Sequence, residues 1–496
     1  MNKYLLLSLL MLSACSLAPD LDEKVDFANG HYKEQTPDTA NAARLPVSDG
    51  AWQLAVPEAC LDRQGWWKIF NDEVLSKLEA KAIRDNFNLK AAVERVKQAR
   101  AIAGVADSAL YPSIGIGADA AQIAPSNASY NIHTNNSPAS FNIYRVHATV
   151  SYEGNLFGDV SDTANAAELD AAAQQARFYD VMLSLEADVA QNYFNLRELD
   201  KELKILDANI KLYAHASELA EKRFKTGYSD DLDLAQAQAQ LALAEADSKG
   251  LEKRRAEYEH ALATLMGEAP GNFTFVQDPL TYEPPAVPAG LPSELLERRP
   301  DIVAAENTMA AANKRIGVAR AAFFPKLMVT ALGGFESNNL NQLFNWSSRT
   351  WYLGPIAGTA LTMPIFDGGQ EFDNLDLAKA EFREAVDSYR QSVLTAFREV
   401  EDSLSDIRLT KEQSLALVRS SAASRRAAEL AQKRYQDGDQ DYFQTYVIEA
   451  QALQAERSLA QAQGQSFVAT INLIRALGGG WTMKVIAKDD AAFKSE

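Results

Sequence analysis

Acidic side chains cluster beside two glycines, where they could bind or repel ions. The six residues are Asp230, Asp231, Asp233, Asp437, Asp439 and Asp441. The first three follow Gly227, and the other three flank Gly438. If several copies of the chain surround an axis, each position becomes a ring of like charges, which repel one another unless they bind cations or move apart. The aspartates are therefore gate candidates, and a role as helix N-caps is an equally weighted alternative.

The chain carries no recognisable catalytic or cofactor-binding pattern. Its five histidines are scattered without metal-ligand or triad spacing, and there is no Gly-x-x-x-x-Gly-Lys-Ser/Thr phosphate loop. The formal charge of −18 argues against a nucleic-acid partner, which normally needs a basic face. We therefore predict that the protein is not an enzyme and has no cofactor, no metal site and no nucleic-acid partner. Any energy for its work must then come from another protein.

The first residues have the pattern of a secreted lipoprotein. Lys3 precedes an apolar stretch, and small residues stand immediately before Cys15. The sequence predicts removal of a signal peptide of residues 1–14 and a covalent lipid on Cys15, with an ordinary signal peptide and a chance cysteine as the alternative. In similar lipoproteins an Asp at the next position favours retention at the inner membrane, so Ser16 favours the outer membrane. The other thiol, Cys60, is expected to be a small, shielded residue.

A comparison of the chain with itself shows two tandem halves. The stretch Ala220–Gly227 recurs as Ala431–Gly438, with Lys-Arg and an aromatic residue at the same places. Each half also has an equally long stretch without Gly or Pro, residues 159–226 and 370–437. Apolar residues in both stretches keep three-four spacing, which indicates long supercoiled helices packed side by side. Each helix is expected to end at its glycine in a left-handed cap, after which a second helix runs back.

Four segments have the alternating pattern of membrane strands. In residues 144–153, apolar side chains and Tyr fall on one face and polar side chains on the other, without a break. Residues 113–120 are the expected partner, and residues 326–335 and 351–363 supply a similar pair in the second half. A soluble, half-buried sheet is the alternative. Outside the first dozen residues, no apolar run approaches the roughly 18 residues of a spanning helix, so a membrane crossing would have to use these strands.

Four strands cannot close a pore in a membrane, because an open sheet leaves unpaired backbone groups in the hydrocarbon. A barrel must then be shared between copies of the chain. Two copies would give eight strands and three would give twelve. An eight-strand barrel is filled by its own side chains, whereas a larger one can conduct. A duct therefore favours a homotrimer.

These features predict a mainly α-helical fold with membrane β-strands, built from two tandem repeats. The segments are a signal peptide (1–14), an acylated extended segment (15–65), a first repeat (66–270), a linker (271–293), a second repeat (294–481) and a charged tail (482–496). The helices are expected at about 72–110, 159–226 and 229–266 in the first repeat, and at about 294–324, 370–437 and 440–477 in the second.

Several segments together resemble those of one protein family. They are Trp66–Phe70, residues 295–302 (Leu-Leu-Glu-Arg-Arg-Pro-Asp-Ile), residues 319–325 (Ala-Arg-Ala-Ala-Phe-Phe-Pro), residues 364–369 (Pro-Ile-Phe-Asp-Gly-Gly) and the two Arg-aromatic-x-x-Gly turns. The chain is similar to the TolC-like outer-membrane efflux factors, in the lipidated OprM/NodT branch. This resemblance implies a trimer in which a twelve-strand outer-membrane β-barrel continues into a twelve-helix periplasmic α-barrel.

The resemblance also implies a function and partners. It implies a passive exit duct of a tripartite pump, lipid-anchored in the outer membrane and extending into the periplasm, with a periplasmic adaptor protein and an inner-membrane RND transporter. The adaptor would dock at the hairpin tips, where the candidates are Arg223, Phe224, Gly227, Arg434, Tyr435 and Gly438. Helix-dipole compensation by the arginines and ordinary packing of the aromatics are the alternative. Relatives often have Asp where this chain has Val447, so the gate acids are expected nearer the turn.

Three functions remain open from the sequence. Efflux of drugs or other toxic small molecules through an outer-membrane channel is the leading one. Export of proteins or peptides with an ATP-driven partner would use the same tunnel. A lipid-anchored periplasmic coiled-coil scaffold without a pore is the third, because helical periodicity alone does not require a channel.

Overall fold

The computed structural model describes residues 16–21, 32–34, 65–124, 140–228, 230–287, 299–352, 359–440 and 442–479. The predictions for residues 1–14, Cys15, Cys60 and the 482–496 tail fall outside these ranges. The helices are α1 (Glu73–Asp85), α2 (Phe87–Ser108), α3 (Asp159–Lys225), α4 (Asp231–Leu265), α5 (Pro300–Ala321), α6 (Gln370–Asp437) and α7 (Tyr442–Ala476). The strands are β1 (Ser113–Ile123), β2 (Phe141–Gly154), β3 (Lys326–Ser337), β4 (Arg349–Tyr352) and β5 (Thr359–Thr362).

The chain is mainly helical and divides into two compact units, of which the first contains the sheet. All of its strand pairs are antiparallel, in the order β1-β2-β3-β4, and β5 also pairs with β3. On one face Arg145 lies 2.8 Å from the Glu336 carboxylate and 3.6 Å from that of Asp119. The polar face predicted for β2 therefore carries ion pairs across three neighbouring strands.

The last predicted strand, residues 351–363, is described only at its two ends. Residues 351–363 were expected to form one strand, but the structure has β4 and β5, each paired with β3, and residues 353–358 lie outside the described ranges. The sequence between them contains Gly354 and Pro355. Both residue types are uncommon inside strands, because proline has no N–H to donate to a strand ladder and glycine weakens a strand.

The first predicted helix, 72–110, is wrong, because it is two helices. Asn86 separates α1 from α2 with an extended ψ of 127°. Its side-chain oxygen accepts a hydrogen bond from Leu89 N at 3.0 Å, and its Nδ2 donates to Leu265 O at 2.8 Å. Asn86 thus caps α2 and ties the break to the end of α4, a long-range contact that helical periodicity does not reveal.

Among the described residues, the largest apolar core lies in the second unit, where α3 and α7 pack against the segment before α1. Phe194 is fully buried and stacks on Phe467 with ring centroids 4.4 Å apart, and Phe70 lies 4.9 Å from Phe194. Asp72 caps α1 and also accepts hydrogen bonds from the hydroxyls of Tyr193 and Tyr282, at 2.6 and 2.8 Å. The core therefore joins residues far apart in the chain through both apolar and polar contacts.

The two long helices end in the same way. Gly227 and Gly438 have φ of 76° and 85°, a left-handed conformation that favours glycine. In both turns, the N–H of the residue after the glycine donates to a carbonyl five residues back, at 2.9 Å. These are Schellman caps, as the repeated Gly predicts. Within the described residues, no helix has both the length and the apolar character of a membrane span.

Candidate functional site: the hairpin tips

The first group of aspartates begins α4. Asp230 is the N-cap residue, and its Oδ1 accepts a hydrogen bond from Asp233 N at 3.1 Å. Asp231 and Asp233 lie in the first helical turn, where negative charge complements the helix dipole. The N-cap alternative is therefore correct for Asp230, and the charge of that residue remains at the exposed tip.

The second group of aspartates is placed differently. Asp437 is the last residue of α6, and Asp439 follows the left-handed Gly438. The backbone N–H of Asp439 donates to Arg434 O, so this residue closes the cap while its exposed side chain remains at the surface. Asp441 lies outside the described residues. The two groups are thus related by sequence repeat but not by local role, because one starts a helix and the other ends one.

A contact between the two tips joins residues of both repeats. The guanidinium of Arg223 lies over the ring of Tyr435, 4.9 Å from its centroid. Burial raises the pKa of Tyr435, the nearby Arg223 charge opposes this rise, and Asp233 adds to it. Tyr435 therefore lies close to both Arg223 and Asp233. The contact with Arg223 connects the end of α3 to the end of α6. Such cation–π contacts contribute about 0.5–1 kcal/mol at exposed sites.

Apolar side chains are exposed on both sides of the first turn. Tyr228 is 87% exposed and Leu232 is 61% exposed, beside the half-exposed Phe224. Lys222 and Lys225 instead pair with Glu218 and Glu221 along the helix, at 2.7 and 2.6 Å. Sequence reasoning found Phe224 but missed Tyr228 and Leu232. The available signal was an apolar residue on each side of a turn glycine, where polar residues are usual.

Buried carboxylates between α3 and α7 were also missed. Glu202 is fully buried and accepts hydrogen bonds from Gln461 at 3.1 Å and from Arg457 at 3.3 Å. Burial, reinforced by a hydrogen bond with Glu202, raises the pKa of Glu198 to about 9. A Cβ on Gly464 would come within 2.4 Å of the Glu198 side chain, so glycine permits this approach. The sequence signal was two acidic residues four apart inside an apolar helix.

A second carboxylate pair lies nearer the core of the same unit. Glu186 accepts a hydrogen bond from the Trp66 indole at 2.8 Å, and burial raises its pKa to about 7. Burial, together with the charge of Glu186, raises the pKa of Glu79, whose two carboxylate oxygens are buried without a hydrogen-bond partner among the described residues. Burial therefore shifts both groups towards the neutral form. In the described ranges, no cluster of three or more His, Cys, Asp or Glu is arranged to hold a metal ion.

Comparison with known proteins places this architecture in a family. The model of the outer membrane efflux protein family matches residues 78–268 and 291–479. Toluene efflux pump outer membrane protein TtgI of Pseudomonas putida is 31% identical over 483 residues, which cover 96% of this chain and 97% of TtgI. Cation efflux system protein CusC of Escherichia coli is 29% identical over 477 residues, which cover 95% and 97% of the two chains.

A solved structure agrees with the sequence comparisons. The CmeC outer membrane channel of Campylobacter jejuni superposes with a TM-score of 0.83 at 25% identity, over 97% of this chain and 98% of CmeC. The relatives are outer-membrane components of efflux systems, which supports the exit duct over a scaffold without a pore. The predicted family is confirmed by a match that covers most of both halves. The chain belongs to the outer membrane efflux protein family.

Proposed function

We propose that three copies of the chain form the exit duct of a tripartite efflux pump. Because β4 and β5 pair with different parts of β3, they count as one strand position, and three copies would form a twelve-strand outer-membrane β-barrel. The four long helices of each copy would form a twelve-helix α-barrel in the periplasm. The observation that carries this proposal is the open sheet. Among the described residues, β1 pairs only with β2, while β4 and β5 pair only with β3, so two edges need partners. Further copies of the chain supply them.

The periplasmic end of this duct would be gated by the tip aspartates. In a trimer, each of the six positions forms a ring of three carboxylates, and their repulsion is relieved by bound cations or by separation of the tips. The Arg223–Tyr435 contact holds the two tips of one chain together and so favours the closed arrangement. The duct itself is passive, and energy comes from its partners.

The same tips would receive the periplasmic adaptor, which links the duct to an inner-membrane RND transporter. The exposed Phe224, Tyr228 and Leu232 give the first tip an apolar surface beside basic residues at the end of α3. The second tip contributes Arg434 and Tyr435. A surface of aromatic and Arg side chains is typical of protein interfaces. Gly227 and Gly438 set the direction of both turns.

A covalent lipid on Cys15 would add a second attachment to the outer membrane. One lipid group anchors only moderately, at about 0.8 kcal/mol per buried methylene, so the strands and the lipid act together. For cargo, we propose small amphipathic toxic compounds, in line with the toluene efflux of TtgI. Cations are the second candidate, in line with the cation efflux of CusC.

Conductance of the purified protein in a planar bilayer tests the duct and its gate. The triple variant Asp437→Ala, Asp439→Ala, Asp441→Ala should raise single-channel conductance, because it removes the second group of like charges. The control replaces three exposed aspartates in the shaft of α6, Asp376, Asp387 and Asp402, by Ala, and so removes the same charge away from the tip. Non-conducting monomers would contradict the duct. Unchanged conductance of the tip variant would remove these aspartates from the gate.

Cargo is tested in cells. Deletion of the gene from its source bacterium should raise accumulation of a fluorescent amphipathic dye, and the intact gene should restore efflux. If dye levels are unchanged while sensitivity to metal cations rises, the cargo assignment moves to cations.

A further inference from the structure

The chain holds the residue that follows Cys15 against a buried carboxylate. The Ser16 hydroxyl donates to the Asp162 carboxylate, 2.7 Å from Oδ2 and 2.9 Å from Oδ1. Asp162 is fully buried in the first turn of α3, and Lys314 lies 3.4 Å from its Oδ1. A hydrogen bond to a buried, charged acceptor is stronger than one at the surface, and loss of the donor leaves the acceptor poorly satisfied. Ser16 is therefore held firmly.

Two side chains of α5 hold the next residues by their backbone. Arg320 Nη1 donates to Leu17 O at 2.9 Å, and the buried Asn313 donates from Nδ2 to Pro19 O at 2.7 Å. Backbone recognition of this kind depends on the path of the chain rather than on its side chains. We call Asp162, Asn313 and Arg320 the docking site, and residues 16–21 the docked segment.

Gly317 shapes the surface on which the segment lies. A Cβ at this position would come within 2.4 Å of Asp162 Oδ2 and 2.8 Å of Ala18 N. Contacts under 3.0 Å force neighbouring atoms to move, and one of these neighbours is backbone. The close approach of α5 to the docked segment therefore requires glycine, which indicates a surface fitted to this segment.

The docking site lies where helices adjoin strands. In the sequence, α3 begins just after β2, and α5 ends just before β3. At this junction Phe157 stacks on the half-exposed Phe324, with centroids 4.7 Å apart. Farther along, Ile365 and Phe366 are 93% and 91% exposed in the segment that leads from β5 into α6. Exposed aromatic and apolar side chains beside membrane strands are typical of the membrane interface.

We propose that the docking site fixes the lipid of Cys15 at this junction, so that the acyl chains enter the membrane directly beside the strands. The inference rests on the proposed acylation of Cys15. Consecutive Cα atoms lie about 3.8 Å apart, so docking of Ser16 would limit how far the lipidated Cys15 can move from this site. A short link between the lipid and the strands raises the effective concentration of the lipid at the membrane, whereas a long, flexible link lowers it. Asp162, Asn313 and Arg320 are thus positioning residues for the anchor.

The substitution Gly317→Ala tests the proposal, with Gly104→Ala as its matched control. Gly104 is also a helical glycine of the first unit, but among the described residues no atom outside its own helix backbone lies within 4 Å of its ideal Cβ. Each variant is made in the natural chain and in a Cys15→Ala chain exported with a conventional signal peptide. The measurements are the amount of heat-stable trimer in the outer-membrane fraction and the mass of the N-terminal peptide. In the lipidated chain, Gly317→Ala should lower the trimer about ten-fold through the weakened link, and Gly104→Ala should have no effect.

The non-lipidated background identifies the cause of any loss. There, Gly317→Ala should cause no further decrease, because no lipid remains to be positioned. Equal losses in both backgrounds would assign Gly317 a purely structural role and overturn the proposal. Arg320→Ala, which removes the hydrogen bond to Leu17 O but adds no atoms, should show a smaller loss confined to the lipidated chain. This variant replaces Gly317→Ala as the test if Gly317→Ala does not fold. A wild-type N-terminal peptide without acyl mass would overturn the lipid anchor itself, an outcome that the mass measurement separates from the others.

Discussion

The two long helices have nearly the same length but different surroundings. Helix α3 has 67 residues and α6 has 68, and both end in a left-handed glycine cap. Yet α3 buries six charged residues: Asp162, Glu186, Arg197, Glu198, Asp200 and Glu202. Among the described residues of α6, the only buried polar residue is Ser403.

Helix α6 leaves large apolar side chains exposed instead. They are Phe372, Leu377, Leu394, Leu409, Leu415, Val418 and Leu430. In a single chain these side chains stay in contact with solvent, and in the proposed trimer some of them could become buried by another copy. A sequence repeat therefore sets the length and ends of a helix but not its environment. Three predictions test this contrast, from the largest expected effect to the smallest.

The first prediction compares the same substitution in the two helices. Phe194→Ala in α3 should lower the free energy of unfolding by about 3–5 kcal/mol, because Phe194 is fully buried against Phe70 and Phe467. Phe372→Ala in α6 should cost less than about 1 kcal/mol, because that ring is 68% exposed and has its ring contact with Phe323 at the surface. Denaturant unfolding of detergent-solubilised protein measures both. Equal losses would contradict the contrast.

The second prediction concerns Glu186, one of the ionisable side chains that α3 buries. The pKa of Glu186 is about 7 in the folded protein and about 4.5 when solvated, so the folded state binds the proton more tightly between these values. This contribution to stability is complete below pH 4.5 and is lost as pH rises through 7, by up to about 3 kcal/mol. Glu186→Gln should therefore flatten the decline in stability between pH 5 and 8. An exposed carboxylate of α6, changed in Glu429→Gln, should leave the decline in place.

The third prediction concerns one exposed apolar residue of α6, Leu415. Leu415→Asp should change the stability of the single chain by less than about 0.5 kcal/mol, because the side chain is already exposed, but it should reduce the heat-stable trimer. Ser420→Asp places the same charge at an exposed polar position of this helix and should leave the trimer intact. Gel mobility of unheated samples and circular dichroism report assembly and helix content. If the trimer survives Leu415→Asp, Leu415 does not lie between copies.

The elements that sequence predicted well are those determined by nearby residues. Absence of Gly and Pro from 370–437 predicted the bounds of α6, and Gly227 and Gly438 predicted its caps and those of α3. The break at Asn86 could not be predicted, because its side chain is fixed by Leu265, which is distant in the sequence. At the tips, sequence reasoning named Arg223 and Tyr435 separately, and their mutual contact emerged only from the packing of one repeat against the other.

The amino-acid sequence by itself determined the length of the helices, the alternation of the strands, the tandem repeat and the family. These follow from local hydrogen bonding, side-chain periodicity and short motifs, which near neighbours in the chain control. The tertiary structure decided which helix is buried, which carboxylates favour the proton, and that Ser16 lies against Asp162. These depend on desolvation and on contacts between residues far apart in the sequence, so they exist only once the chain has folded.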